Sequence, residues 1–177
     1  MVPPILRRLI LVSTNEGYTR QVTTLARLLI QQKWTVTAAE SCTGGGVANA
    51  FTSLAGSSTW FEQSWVTYSN KAKATLLDVP ESVLNEHGAV SAQTVEAMAN
   101  GAAKNASADV AIAVSGIAGP GGGTETKPVG LVWFGFYIKG QVYSDKMLFK
   151  GDREAVRCQA IQYGLEKLNQ GLVAALQ

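Results

Sequence analysis

Apolar positions along this chain recur first at helical and then at strand spacing. Tyr18, Val22, Leu25 and Leu29 share one face at a period near 3.6, which predicts an amphipathic helix over 17–32. Ser13-Thr14-Asn15-Glu16 has the form of a capping box that would start it. The period then drops to two: Trp34, Val36 and Ala38 alternate with Thr35 and Thr37, as in a strand. After the stretch AAESCTGGG, residues 47–54 read as helix, and WFEQSWVTYSN, with its aromatic and β-branched residues, as a second strand. Residues 71–77 suit a turn or two of helix. Pro80 suits the start of another, His87-Gly88 its end, and Ser91 the cap of a helix reaching about Lys104. DVAIAVS at 109–115 reads as a buried strand, and GLVWFGFYI and QVYSDKMLF around Lys139-Gly140 as a hairpin. Asp152 would cap a last helix with Val156, Ile161, Leu165, Leu168 and Leu172 on its apolar side. Five strands interleaved with helices predict an α/β fold on a mixed sheet.

Composition narrows the function class. A chain of 177 residues, 46% hydrophobic and 16% charged, suits one globular domain, placed here at 13–177 after a loose or strand-like extension at 1–12. The net charge of +2, with no basic run longer than Arg7-Arg8, gives no reason to expect nucleic acid as a partner. No apolar run approaches the roughly 20 residues of a membrane helix. Leu9–Val12 is too short for a signal core, so a cytoplasmic protein is expected. Cys42 and Cys158 read as free thiols, and His87 is the sole histidine. No residues stand at metal-ligand spacing, so neither metal nor cofactor is expected.

The candidate chemistry gathers where strands are predicted to end. AAESCTGGG would be a strand-to-helix junction, with unpaired backbone N–H groups and the positive end of a helix dipole. Ser41 could attack a carbonyl there, or Ser41 or Thr43 could simply cap the helix; this stretch alone leaves both open. A serine nucleophile needs a base, and His87 sits at a predicted helix end, which leaves lysine. TYSNKAK would bring Tyr68, Asn70 and Lys73 close together at a strand exit, where open α/β sheets bind ligands. Those residues could equally be an ordinary solvated loop. The stretch GIAGPGGGTETKPVG matches neither dinucleotide nor P-loop fingerprints, yet its backbone and Lys127 could take a phosphate, as could Arg153 at the next helix start.

Taken together, AESCTGG, AGSSTWF, VTYSNKAK, HGAVS, SGIAGPGGGTETKPVG and GDREAVR, in this order over roughly 20–170, resemble the C-terminal domain family of the competence-damage-inducible protein CinA. The resemblance implies a three-layer α/β/α sandwich on a mixed, mostly parallel five-stranded sheet. It implies an amidohydrolase that converts nicotinamide mononucleotide to nicotinate mononucleotide and ammonia in pyridine nucleotide salvage. It also implies a homo-oligomer without a metal. On the matching motifs, Ser41 becomes the expected nucleophile, with Tyr68 and Lys73 as proton-transfer partners. From chemistry we expect Lys73 to be the base and Tyr68 a relay to departing ammonia. Thr43, Gly44 and Gly45 are expected around the oxyanion, and Asn70, Ser115, Gly116, Lys127 and Arg153 around the rest of the substrate. Two other readings are a silent nucleotide-binding module and a cysteine hydrolase using Cys42.

Overall fold

The structure, a computed structural model, describes the backbone of residues 4–177 and the side chains from Tyr18 onward. Helix α1 runs from Pro4 to Gln32, so its backbone is helical within the segment expected to be a loose or strand-like extension. The capping box at 13–16 starts no helix, and its side chains lie outside the described residues. Beyond α1 come β1 (Val36–Glu40), α2 (Gly46–Thr52), a 3₁₀ turn at Ser57–Thr59 and β2 (Trp65–Val66). Then follow α3 (Asn70–Leu77), α4 (Glu81–His87), α5 (Ala92–Ala106), β3 (Val110–Gly116), the hairpin β4 (Leu131–Ile138) and β5 (Gln141–Leu148), and α6 (Arg153–Ala175).

The sheet order is β2-β1-β3-β4-β5. β1 pairs in parallel with both β2 and β3, while β4 is antiparallel to both β3 and β5. Four of the five strands therefore run one way and β4 alone opposes them. β2 is much shorter than the strand predicted across WFEQSWVTYSN. Phe61 reaches β1 only through one isolated bridge to Val36. Trp60 and Phe61 instead turn their rings onto Phe51 of α2, at 5.7 and 5.2 Å between centroids, and that packing draws the chain off the sheet edge.

Alternation along the strands sorts the core into two layers. Val36 and Ala38 of β1, Val110, Ile112 and Val114 of β3, and Phe134 and Phe136 of β4 pack toward α1, α2 and α6. Ala39, Ala111 and Ala113 point the other way, toward Val95, Met98 and Ala102 of α5. The second layer is built from small residues, so α5 lies close to the sheet; a side chain at Gly135 would strike the Val95 carbonyl oxygen. Ser91 caps α5 by accepting from the Thr94 amide, and Asp152 caps α6 by accepting from the Ala155 amide.

This topology makes a crevice. The chain leaves β1 through α2 on one face of the sheet and reaches β3 through α3, α4 and α5 on the other. The connections diverge at the carboxyl end of β1, the place where open α/β sheets leave room for a ligand.

Candidate active site

Three parallel strands deliver the site. Ser41 follows β1 directly, Thr67 and Tyr68 follow β2, and Ser115 and Gly116 end β3. A cavity of about 220 Å³ lies at these ends, walled by Ser41, Cys42, Tyr68, Lys73, Ser115 and Arg153, with Ala89, Val90, Gly116 and Ala118 completing it.

Lys73 comes from α3, which Ser69 starts by accepting a hydrogen bond from the Ala72 amide. Its side chain is wholly buried. Nζ lies 3.2 Å from Ser41 Oγ, 2.8 Å from the Thr67 carbonyl oxygen and 3.4 Å from that of Tyr68. A neutral amine has two N–H donors and one lone pair. Nζ donates to two carbonyls and to the Ser41 hydroxyl oxygen, and once it gives up a proton the hydroxyl can donate to its lone pair. Among the described residues no carboxylate forms an ion pair with Nζ, and burial pulls Lys73 down from 10.5 to about 8. This lysine therefore gives up its proton far more readily than a solvated one.

The turn carrying Ser41 explains its glycines. Gly44 and Gly45 sit at φ of +58° and +95°, conformations that cost a residue with a Cβ. Gly46 has no Cβ because one would collide with Ile161 of α6. Glu40, almost fully buried, bends back beneath this turn. Its carboxylate accepts from the amides of Gly45, Val47 and Ala48 at 3.1, 3.0 and 2.9 Å. It thus satisfies the open first turn of α2 and places negative charge at the positive end of that helix. Above the turn, Arg157 of α6 donates to the carbonyls of Cys42 and Thr43 at 3.1 and 3.0 Å.

These bonds decide which amides remain for a substrate. The Gly44 amide donates to the Ser41 carbonyl at 3.1 Å, and Gly45 is taken by Glu40. Of the expected oxyanion donors, Gly44 and Gly45 are therefore already engaged, because closing so tight a turn consumes their N–H groups. The amides of Cys42 and Thr43 are not bonded within the turn, but Thr43 is wholly buried and outside the cavity lining, so of the two only Cys42 borders the cavity. Burial pushes the Cys42 thiol up to about 11, and the nearby Glu40 carboxylate adds to the rise. That thiol stays protonated at neutral pH and is a poor nucleophile.

The remaining expected residues are divided by the fold. Tyr68 is largely exposed at the cavity mouth, where its Oη receives a bond from Arg153 Nη2 at 3.2 Å. Arg153 Nη1 donates to the Gly119 carbonyl at 2.9 Å. Ser115 is buried and donates to the Ala89 carbonyl at 2.7 Å, so it pins the cavity wall. Asn70 is an exposed first residue of α3 and is not part of the cavity lining. Lys127 also lies outside the lining, because its Nζ donates to the His87 carbonyl at 2.7 Å, tying the glycine-rich loop to the end of α4. The bonds by which Glu40 and Arg157 hold this turn were not foreseen in the sequence. Both left a signal: Glu40 is the one charge between Lys33 and Glu62, and Arg157 stands one helical turn after Arg153.

Among the described residues no group of three or more His, Cys, Asp and Glu side chains could hold a metal ion, and no helix is long and apolar enough to cross a membrane. The family described as the CinA C-terminal domain matches residues 19–172. A nicotinamide-nucleotide amidohydrolase PncC of Enterobacter agglomerans is 59% identical over 134 residues, 75% of this chain and 82% of that protein. The protein of the same name from Escherichia coli K12 is 56% identical over 135 residues, 76% of this chain and 82% of that protein. The crystal structure of competence damage-inducible protein A from Klebsiella pneumoniae superposes with a TM-score of 0.85 at 40% identity, covering 88% of this chain and 97% of that one. With its motifs, its sheet order and nearly its whole length accounted for by that one family, the chain belongs to the CinA C-terminal domain family.

Proposed function

We propose that this protein hydrolyses the carboxamide of a nicotinamide nucleotide, with Ser41 as nucleophile and Lys73 as its base. One observation carries the proposal: a buried lysine amine, held by two carbonyls, has its third position on the Ser41 hydroxyl. The names of the similar amidohydrolases supply the substrate class.

Ser41 Oγ forms a bond to the carboxamide carbon as its proton passes to Lys73 Nζ. Negative charge collects on the former carbonyl oxygen, for which the Cys42 amide is the donor beside Ser41 that borders the cavity. As this intermediate collapses, the C–N bond breaks and the nitrogen leaves as ammonia, taking a proton from Lys73 with Tyr68 as relay. A water molecule then attacks the ester and gives a proton to Lys73, which returns it to Ser41 Oγ as the acyl–oxygen bond breaks and the acid product leaves, ionising to its carboxylate. Arg153, with five N–H donors of which two are bonded within the chain, is the cation at the cavity positioned for a phosphate. A homo-oligomer is a separate part of this reading, and light scattering of the purified chain tests it.

Ammonia release from nicotinamide mononucleotide tests the activity. Wild type is expected to turn over, and folded Ser41→Ala to lose on the order of 10³-fold or more in kcat. Binding of the nucleotide by wild type without ammonia release would replace this reading with a silent nucleotide-binding module.

A further inference from the structure

We infer that Arg157 is a positioning residue for acyl transfer at Ser41, holding from α6 the two carbonyls that follow the nucleophile and thereby fixing the turn on which it stands. The inference deepens the proposed serine chemistry and rests on it. Arg157 Nε donates to the Cys42 carbonyl at 3.1 Å and Nη2 to the Thr43 carbonyl at 3.0 Å.

A trans peptide is planar, so its C=O and N–H point in opposite directions. Drawing the Cys42 carbonyl toward α6 therefore turns the Thr43 N–H away from α6. Drawing the Thr43 carbonyl the same way turns the Gly44 N–H back under the turn, where it meets the Ser41 carbonyl at 3.1 Å. One guanidinium thus fixes two successive peptide planes behind Ser41, and the Gly44 amide closes the turn. The planar fork spans two successive carbonyls, which a lysine ammonium on its flexible stem does not reproduce.

Arg157 has no place in the cavity lining, so it acts through the turn and not on the substrate. Arg153, one helical turn earlier, holds the Gly119 carbonyl of the glycine-rich loop. The first turns of α6 therefore join the loop that carries the nucleophile to the loop across the cavity.

The test uses the purified full chain with Arg157→Ala and Arg157→Lys. Three quantities are measured: kcat and KM for ammonia release from nicotinamide mononucleotide, the rate at which a fluorophosphonate labels Ser41 by intact mass, and both rates with ethylguanidinium added. Arg157→Ala is expected to lose about 10²-fold in kcat and in labelling rate, as for a misplaced nucleophile, with KM changed by less than about threefold. Lysine should restore little, whereas ethylguanidinium should recover part of both rates in the alanine variant and neither in wild type. A retained kcat, a rise in KM alone, or a loss that ethylguanidinium does not relieve in a variant that unfolds cooperatively would overturn the inference. Should wild type label at Ser41 yet release no ammonia, the assigned substrate fails and the labelling series alone judges Arg157. Should Ser41 not label at all, the serine chemistry and this inference fall together.

Discussion

Two loops face each other across the cavity, and they are held in different ways. The turn at 41–46 is short and gripped from both sides, by three amide bonds to the Glu40 carboxylate and two guanidinium bonds from Arg157. The loop at 117–130 is longer, and its residues 120–126 are all exposed. Its tip is closed on itself between Thr124 and Lys127, and it is tied to the rest of the fold by Arg153 at Gly119 and Lys127 at His87. Bond making requires atoms placed to a few tenths of an ångström, whereas holding a phosphate tolerates adjustment of a backbone cradle. The chemistry we propose sits on the overdetermined side.

Breaking the comparison at its centre should give the largest effect. Lys73→Arg and Lys73→Met are both expected to lose on the order of 10³-fold in kcat, because a guanidinium holds its proton throughout and a thioether accepts none. Wild-type kcat/KM should rise with pH through about 8, the value to which burial lowers Lys73, and the variants' residual rates should lack that limb. Stability should respond as well. The unfolded lysine keeps its proton up to 10.5 and the folded one only to about 8, so unfolding takes up a proton between these values. Folding stability from this group therefore rises with pH across that window, by roughly 3 kcal/mol, and the cost is fully present below it. Cys42, raised from 9.0 to about 11, acts in the opposite sense at the upper end. The difference between the urea-unfolding curves of wild type and Lys73→Met isolates the lysine; a difference flat in pH would show that Lys73 is not depressed.

Loosening the gripped turn comes next. Glu40→Gln keeps the shape but replaces a carboxylate oxygen with an NH₂ group facing amide donors. It should cost about 2–4 kcal/mol of stability and about 10- to 100-fold in kcat. Chemical denaturation and steady-state kinetics measure the two, and unchanged values for both would remove the turn's claim to be held from below.

The opposite loop should yield the smallest effects, and these sharpen the contrast. Arg153→Ala is expected to raise KM for nicotinamide mononucleotide about 10-fold, with less effect on the riboside, which has no phosphate for a guanidinium to hold. Lys127→Ala should shift either substrate by no more than about threefold, since its amine already holds the His87 carbonyl and stands off the cavity. A large, phosphate-dependent loss on removing Lys127 would place the phosphate along the glycine-rich loop after all.

Periodicity and capping chemistry by themselves determined most of the elements of this protein. The caps at Ser91 and Asp152, the buried run of β3 and the hairpin around Lys139-Gly140 are local, and local signals are written in neighbouring residues. The motifs likewise pointed to Ser41, Tyr68 and Lys73, because a nucleophile and a base leave recognisable residue types. What only the tertiary structure decided was which groups meet. β2 is short because Phe51 claims the rings of Trp60 and Phe61, a contact that strand propensity does not contain. Lys73 becomes a candidate base because burial and two carbonyls from the end of β2 surround its amine. Glu40 and Arg157 share the Ser41 turn although 117 positions separate them, and Lys127 is drawn off to His87. Hydrogen-bond partners and desolvation depend on distances in space, and a chain order read along one dimension carries those distances only where neighbours in sequence are also neighbours in the fold.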